Sequence, residues 1–440
     1  MNEIMTQEFG TTIAATVKRE VPILDYINTE LSNLLQTGSG NTVNVLVPNF
    51  GKVSKGSSFN GEGDTVKTLS SIKDLQVQVD KVPVKVEITK VGASYDLLEK
   101  TLKLFTETSQ IHEPRISQLA KTINSEIFQC VLKAAHSSII GQIGFTDLAE
   151  AVAYVDESRV GEENAGMLSP LLNNTIAASG ANKFANTNLA SPKGTELNLY
   201  KGILGEWMDA TFFKSADAGS IKLGNEVKKE FAITGNADVI RDGDTTLRLS
   251  DIEFGGSELT KIPAGTPIII GSGDPAVAGS ISSPFTVSNV YGDDTQIIRT
   301  FVVKEDAPIS GGNANVKVAP IHLNEKIGDE VTMSSAAVPN TWYNGDSEQD
   351  SLTFICPLLA GAKYALGAVF ASKSVAFASS TPKELAGQDS TSTKLEGELN
   401  IRTSYGGDIR EGAETWRVDA LYGVEALYGQ GSVALYGQIA

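Results

Sequence analysis

The side chains that most often carry chemistry are few in this sequence and widely spaced. Two cysteines occur, Cys130 and Cys356, and three histidines, His112, His136 and His322. The cysteines form no CxxC pair, so their spacing excludes zinc-ribbon and thioredoxin-type sites. The sequence contains no nucleophile elbow, phosphate-binding loop or HExxH motif. We therefore expect a protein that is not an enzyme and that uses no cofactor and no metal.

Each remaining candidate for chemistry has a structural interpretation. His136 lies at the end of a predicted helix, where an imidazole usually interacts with the last carbonyl groups. Cys130 falls on the apolar stripe of that helix and Cys356 lies in an apolar run, so both are predicted core residues. The Asp-Gly-Asp and Gly-Asp-Asp runs at 242–244 and 292–294 do not continue into a twelve-residue calcium loop. They are typical of tight turns.

The charge and the hydropathy of the chain narrow the classes of function. Its 440 residues carry 36 Lys and Arg against 53 Asp and Glu, a net charge of −17, which is the wrong sign for a dedicated nucleic-acid binder. The chain begins without a basic segment followed by an apolar one, so we expect synthesis in the cytosol without a secretory signal. Its most apolar stretch, 352–377, is interrupted by Pro, Gly and Lys, so no membrane span is predicted.

Apolar periodicity predicts three helices, which must position whatever site exists. The strongest runs from Glu113 to His136, with Pro114 in its first turn. Its stripe predicts a long helix that packs on a sheet or another layer; the stripe comprises Ile116, Leu119, Ala120, Ile123, Ile127, Cys130, Val131 and Ala134. A second helix is predicted from Asp147 to Glu157, with Thr146 or Asp147 as the N-cap. An N-terminal helix is predicted from Ile23 to Leu35.

The segment that follows the N-terminal region predicts strands around a Gly-rich loop. Alternating valines predict a strand from Val43 to Val47 that ends at Pro48. Residues 51–71 are rich in Gly and Ser and lack apolar periodicity. Two alternating sets follow at 75–79 and 82–88, with a bulge or register change expected next to Pro83.

Short alternating runs dominate the second half of the chain. Between residues 221 and 345 they alternate with Gly and Asp turns, which favours a small inserted β-barrel or sandwich. The runs are Phe231–Thr234, Thr246–Leu249, Pro267–Ile270, Phe285–Val290, Gln296–Val303 and Val316–Val318. Residues 350–440 predict strands and turns of a terminal sheet. There Ala-Leu-Tyr-Gly occurs three times, ending at Gly423, Gly429 and Gly437.

Several segments, in this order, carry a resemblance to a known family. They are the strands and loop of 43–90, the helix and its lead-in at 95–137, Leu168-Ser169-Pro170, Gly205-Glu206-Trp207 through Lys214-Ser215, Leu366–Pro382 and the closing Arg417–Val424. Together they resemble the tailed-phage major capsid proteins of the Hong Kong 97-like fold. The branch they resemble is that of the short-tailed Salmonella phage coat proteins, which have an inserted domain.

The resemblance implies an α+β fold with a defined order of domains. The predicted domains are an N-terminal arm at 1–42, an extended β-loop at 43–92, a peripheral domain with the spine helix at 93–145 and 346–380, an axial or central domain at 146–220 and 381–440, and an inserted β-barrel at 221–345. The implied function is a major capsid protein that self-assembles into the icosahedral shell around the double-stranded DNA of a tailed bacteriophage.

The implied partners are mainly other copies of this chain. The resemblance implies hexamers and pentamers in a virion capsid, assembled in the host cytoplasm with a scaffolding protein and a portal. The DNA is enclosed without specific binding, and no membrane is involved. The candidate subunit contacts lie on the extended loop and are Phe50, Lys52, Lys55, Phe59, Glu62, Asp64 and Lys67. Two alternatives remain open: a secreted or tail-associated β-rich binding protein, such as an adhesin, and an enzyme without a recognisable motif.

Overall fold

The computed structural model describes most of the chain. The described residues are 21–29, 42–50, 79–87, 89–98, 113–161, 163–176, 203–207, 209–215, 218–226, 231–237, 245–256, 258–272, 281, 283–289, 294–319, 352–379, 389–394, 399–408 and 413–439.

Two helices lie where the apolar periodicity predicts them. α1 spans Glu113–Ala134 and α2 spans Phe145–Ser158. The N-cap predicted for α2 is wrong: Gly144 precedes the helix, and its backbone N–H donates to Asp147 Oδ2 at 2.7 Å. Asp147 therefore stabilises the first turn from inside the helix, where the helix dipole also favours a carboxylate. Shorter helical segments are Pro22–Tyr26, Ser372–Ser374, Gly429–Gly431 and residues 170–176.

The strands of the described residues form a mixed α+β fold with these helices. In the first half of the chain they are β1 (Thr42–Phe50), β2 (Val79–Glu87), β3 (Thr89–Leu98), β4 (Ser137–Gly141), β5 (Asn164–Leu168), β6 (Ile203–Trp207), β7 (Ala210–Lys214) and β8 (Ser220–Lys222). Then follow β9 (Phe231–Ala237), β10 (Thr246–Phe254), β11 (Lys261–Ile262), β12 (Pro267–Ser272), β13 (Ser283–Pro284), β14 (Thr286–Ser288), β15 (Asp294–Ile298), β16 (Phe301–Val302), β17 (Ala307–Pro308) and β18 (Ala314–Lys317). The last are β19 (Leu352–Leu359), β20 (Lys363–Ala371), β21 (Val375–Ser379), β22 (Asp389–Lys394), β23 (Asn400–Asp408), β24 (Ala413–Ala426) and β25 (Ser432–Ile439).

A central sheet holds the two helices on opposite faces. Its order is β4-β25-β20-β5-β7-β6, and β8 pairs with the start of β20. Along β20, Tyr364, Leu366 and Phe370 join the core that contains α1, whereas Ala365 and Val369 join the core that contains α2. Successive side chains of a strand point to opposite faces, so each face of this sheet is covered by one helix.

α1 is buried more widely than its predicted stripe. The predicted residues Leu119, Ile123 and Ile127 are buried, and so are Phe128 and Leu132. The helix contacts β20 and β25 of the central sheet and also β3 and β24 of a second sheet. It therefore packs between two sheets, which explains why its buried surface exceeds one stripe.

The second sheet, called here the lateral sheet, is built around β24. One edge of β24 pairs with β3; the other pairs with β23 and then β21, and β22 follows β23. β2 leads directly into β3 with only Ile88 between them, and β2 pairs with β1 as a two-stranded ribbon. The register change predicted next to Pro83 is wrong, because β1 and β2 pair without a shift from Thr42 opposite Glu87 to Phe50 opposite Val79.

A third sheet contains six strands of the predicted insertion, β9, β10, β12, β13, β16 and β18. Its order is β13-β12-β19-β9-β10-β18, with β16 also paired to β12. The predicted runs at 231–234, 246–249, 267–270 and 316–318 coincide with β9, β10, β12 and β18 of this sheet, whereas the runs at 285–290 and 296–303 overlap β14 and β15, which pair with each other, and β16. β19 comes from later in the sequence, yet Ile355 lies opposite both Ile269 of β12 and Thr234 of β9. The segment from 352 to 359 is therefore an interior strand of this sheet.

The close packing around Gly235 of β9 allows a steric test of the third sheet. It faces a bulge in β10, where the register shifts between Ser250 and Glu253 and Asp251 has a positive φ of 49°. A Cβ at position 235 would lie 2.7 Å from the Ser250 carbonyl oxygen and 2.9 Å from that of Asp251. We expect Gly235→Ala to lower the free energy of unfolding by about 2 kcal/mol, because backbone oxygens cannot easily move. Chemical denaturation measures the change.

The matched control for this substitution is Gly161→Ala. A Cβ at position 161 would meet its nearest atoms, in Ala371 and Ser372, at an ordinary 3.4 Å. We expect the stability of this variant to match that of the parent protein. Equal stability of the two alanine variants would contradict the packing described for the bulge.

Candidate functional site

The predicted contact loop connects the two strands of the ribbon, β1 and β2. Of the seven predicted contact residues, Phe50 is the last residue of β1, and its Cα lies opposite that of Val79. Lys52, Lys55, Phe59, Glu62, Asp64 and Lys67 lie outside the described residues. The two ends of segment 51–78 are thus held side by side. The role of these seven residues as subunit contacts stays a prediction.

The ribbon is joined to the body of the molecule by nearly continuous strands. β2 and β3 run from residue 79 to residue 98, which at about 3.3 Å per residue corresponds to roughly 65 Å of extended chain. β3 pairs with β24 over its whole length, from Thr89 opposite Tyr422 to Leu98 opposite Ala413. The end of the ribbon next to β3 is therefore held by the lateral sheet, and β2 also contacts β24.

Tyr422 fixes the lateral sheet beneath α1. Its side chain is fully buried, and its ring stacks on that of Phe377 with 5.6 Å between the centroids. Burial raises the pKa of Tyr422, and the neighbouring carboxylate of Glu126 on α1 raises it further. The phenol thus stays neutral at physiological pH, and its ring serves as a packing element between β21, β24 and the helix.

The N-terminal segment is bound to the edge of β21, which overturns part of the predicted helix from Ile23 to Leu35. The Asn28 N–H donates to the Val375 oxygen at 3.1 Å, and the Asn28 oxygen accepts from the Phe377 N–H at 2.8 Å. Ile23 and its buried neighbours Val21, Leu24 and Ile27 pack in the core. Pairing with β21 needs extended backbone at 27–28, so the long-range contact overrides the local helical periodicity. Residues 30–41 lie outside the described residues.

Buried hydrogen bonds connect the third sheet region to the end of α1. The Tyr436 hydroxyl, on β25, donates to the Gly265 carbonyl oxygen at 2.8 Å. The Thr300 N–H donates to the His136 carbonyl oxygen at 2.7 Å, and the Thr300 and Ser138 hydroxyls are 2.8 Å apart. These residues are far apart in sequence, so no local pattern indicates the junction. One sequence feature that includes a residue of the junction is the Ala-Leu-Tyr-Gly repeat, whose third copy contains Tyr436.

The histidine and the two cysteines considered for catalysis lie buried or partly buried in the fold. His136 lies just beyond the end of α1, not in its last turn as predicted, and its buried backbone N–H donates to the Gly429 oxygen at 3.1 Å. Cys356 is fully buried, and burial raises its pKa to about 12. Cys130 is partly buried against the core, and burial followed by the charge of Glu425 raises its pKa to about 12. Both thiols are protonated at neutral pH and are poor nucleophiles.

Two further classes of site were sought in the part of the chain that the structure describes. No group of three His, Cys, Asp or Glu side chains there could hold a metal ion. Within the same residues, no helix is long and apolar enough to cross a membrane. The two Asp-rich turns considered for calcium fall mainly outside the described residues.

The Tyr436 hydrogen bond predicts a measurable contribution to stability. Tyr436→Phe removes the hydroxyl and leaves the buried Gly265 carbonyl without this donor, so we expect unfolding to become easier by about 1–2 kcal/mol. Tyr154→Phe is the matched control, because the Tyr154 hydroxyl donates to Glu150 on the surface and its loss is expected to cost less than about 0.5 kcal/mol. Thermal unfolding compares the variants. A larger loss for Tyr154→Phe would contradict the assigned role of the junction.

Comparison with known proteins was made at the level of sequence and of structure. No protein-family model matches the sequence, and no curated protein sequence matches it. The chain is similar to the acid-stable capsid of Helicobacter pylori bacteriophage KHP30, with a TM-score of 0.40, 9% identity and coverage of 92% of this chain and 85% of that one. It is also similar to the capsid of cyanophage P-SCSP1u, with a TM-score of 0.37, 9% identity and coverage of 94% and 86%.

A third similar structure is a virus-like particle from Pyrococcus furiosus. Its TM-score is 0.36 at 7% identity, with coverage of 97% of this chain and 99% of that one. These neighbours are capsid and particle proteins, and no catalytic family is indicated among them. TM-scores of this size carry no argument about the function of the chain.

Proposed function

We propose that this chain is the major capsid protein of a tailed bacteriophage, with a Hong Kong 97-like fold of the short-tailed Salmonella phage coat branch. Copies of the chain would form the icosahedral shell that encloses double-stranded DNA. The observation that carries the proposal is the continuity from the ribbon through β3 to the lateral sheet and α1. A loop held at the end of such an extension is built to contact a neighbouring molecule.

The arrangement supplies what a shell subunit needs mechanically. α1 packs between two sheets, and β20 is buried on both faces, so the body resists deformation. The ribbon is joined to this body through β3, and segment 51–78, which connects its two strands in sequence, is rich in Gly. Glycine accepts many backbone conformations, so one loop sequence can fit slightly different neighbours in hexamers and pentamers. The predicted contacts of Phe50, Lys52, Lys55, Phe59, Glu62, Asp64 and Lys67 belong to this proposal.

The charge of the chain supports the role of a DNA container. A net charge of −17 gives a surface that repels phosphate groups. A shell that does not bind its genome leaves DNA free to move during packaging. The family resemblance adds a scaffolding protein during assembly in the host cytoplasm and a portal in the finished virion.

The inserted segment would complete the fold of the subunit. Residues from β12 and β9 flank β19 on both sides, and apolar residues of this sheet share one continuous core with α1. The proposal includes closure of this sheet into the inserted β-barrel of the resembled branch. Its first role would be to bury the surface of β19 and the end of α1.

Assembly of the purified chain tests the proposed function. We expect the chain, alone or with its scaffolding protein, to form shells or capsomer-sized particles, measured by size-exclusion chromatography and negative-stain electron microscopy. A variant in which Asn-Gly replaces residues 51–78 is expected to fold but to form no shells. Phe50 and Val79 lie directly opposite each other, so a two-residue turn can close the ribbon.

The outcomes of this experiment separate the candidate functions. Shells from the parent chain and folded, unassembled protein from the shortened variant support the proposal. A parent chain that stays monomeric at high concentration and binds glycans would instead favour the β-rich binding protein.

Deletion of residues 221–345 tests the role of the insertion. The deletion removes both strands that flank β19 and exposes the apolar residues Phe354 and Leu358, which are buried in the parent protein. We expect insoluble protein, because an unpaired apolar strand is prone to aggregate. Fractionation after expression measures this outcome. Soluble protein that still assembles would refute the role assigned to the insertion.

A further inference from the structure

The segment of residues 21–28 packs on the body of the molecule and lies outside the described sheets. The Asn28 N–H donates to the Val375 oxygen at 3.1 Å, and the Phe377 N–H donates to the Asn28 oxygen at 2.8 Å. This pairing with the edge of β21 is a single parallel bridge beside Ala376. Removal of the segment would therefore leave the described strands of the lateral sheet paired with one another.

Buried apolar side chains anchor the segment. The four anchors are at most 6% exposed, lie in the core that contains α1, and are Val21, Ile23, Leu24 and Ile27. Tyr26 is partly exposed, and its ring meets that of Phe213 on β7 edge-to-face with 5.1 Å between the centroids. Asp25, next to Tyr26, is exposed. The segment thus contacts the central sheet through Tyr26 and the lateral sheet through Asn28.

The conformation of the segment is imposed by the surface on which it lies. Its helical part, Pro22–Tyr26, is a 3-10 helix of five residues. A helix this short is not stable by itself in water. Proteins bind extended peptides by backbone pairing at a strand edge together with pockets for apolar side chains. The segment and the surface are therefore related as a peptide ligand and its binding site.

We infer that residues 21–28 form a clasp, an intramolecular peptide ligand that occupies a strand-acceptor site beside β21 and ties the lateral sheet to the central sheet. The ligand class is an extended segment that carries the four anchors, followed by a residue whose backbone pairs with β21. The same sequence supplied as a free peptide binds the site when the clasp is cut from the chain. β19 has the opposite character, because β9 and β12 flank it and it cannot leave without breaking a sheet.

Exchange of the clasp in the folded chain tests this inference. A protease site inserted between Gly38 and Ser39, in a stretch of Gly and Ser, allows cleavage after folding. We expect the N-terminal fragment to stay bound during size-exclusion chromatography and to be displaced by an excess of a fluorescent peptide of residues 19–30. Fluorescence anisotropy measures the binding of the peptide, and near-UV circular dichroism shows that the body stays folded.

Two variants of the peptide are matched controls at neighbouring positions. Leu24→Asp places an unpaired charge in the core, so we expect its affinity to be weaker by at least about a hundredfold. Asp25→Ala changes an exposed residue, so its affinity is expected to stay within about twofold of that of the parent peptide. Equal affinities of the two variants would contradict anchoring by the buried side chains.

Hydrogen exchange of the uncut chain is a second test that does not depend on cleavage. The Phe377 amide donates to Asn28 while the clasp is bound. We expect this amide to exchange through release of the clasp, and so faster than the amides of α1, which open on global unfolding. In the full chain, Leu24→Asp should accelerate the exchange of the Phe377 amide further, whereas Asp25→Ala should leave it unchanged.

The outcomes separate a clasp from a fixed part of the core. Retention of the cut fragment, its displacement by the peptide and early exchange of the Phe377 amide support the clasp. A fragment that leaves only when the body unfolds, or a Phe377 amide that exchanges no faster than those of α1, would refute it. Immediate loss of the fragment without binding of the peptide would refute the acceptor site. Formation of shells is measured separately, so failure of the clasp leaves the proposed function untouched.

Discussion

Burial of both faces of β20 is the constraint on which the structure depends. The strand is exposed only at Lys363, and its residues alternate between the core that contains α1 and the core that contains α2. A shift of one residue in its pairing would exchange Tyr364, Leu366 and Phe370 with smaller residues on the other face. The large residues would then face α2 and leave voids beneath α1. The register of the central sheet is therefore specified by packing.

The same core continues beyond the central sheet. Buried residues of α1, the lateral sheet and the third sheet belong to one cluster, and the Tyr436–Gly265 and Thr300–His136 hydrogen bonds lie at the junction. A shared core couples these regions, because moving one would expose apolar surface of the others. In the proposed shell, a contact at the ribbon would act on this shared core through β3, which pairs with β24.

The thiols of Cys130 and Cys356 and the phenol of Tyr422 pack in or against the core. The two thiols have raised pKa values because they are buried, and Tyr422 is held neutral beneath α1. Within the residues that the structure describes, the edges of the sheets present polar backbone groups. Such features recognise other polypeptides through backbone hydrogen bonds and facing side chains. This distribution is compatible with the proposed assembly of copies of the chain.

Local pattern in the sequence determined the two long helices and several of the strands. The stripe of α1, the valine alternation of β1 and the runs of the third sheet depend only on near neighbours, because each element must turn its apolar residues to one side. The proposed function rests on a resemblance in the order of those elements, and the loop residues proposed as contacts remain predictions. Only the tertiary structure decided which elements pair. The segment at 22–28 joins β21 in place of a longer helix, β19 inserts between β9 and β12, and Tyr436 reaches Gly265. These contacts join residues that are distant along the chain, and no periodicity encodes them, because their stability comes from surfaces that meet only after folding.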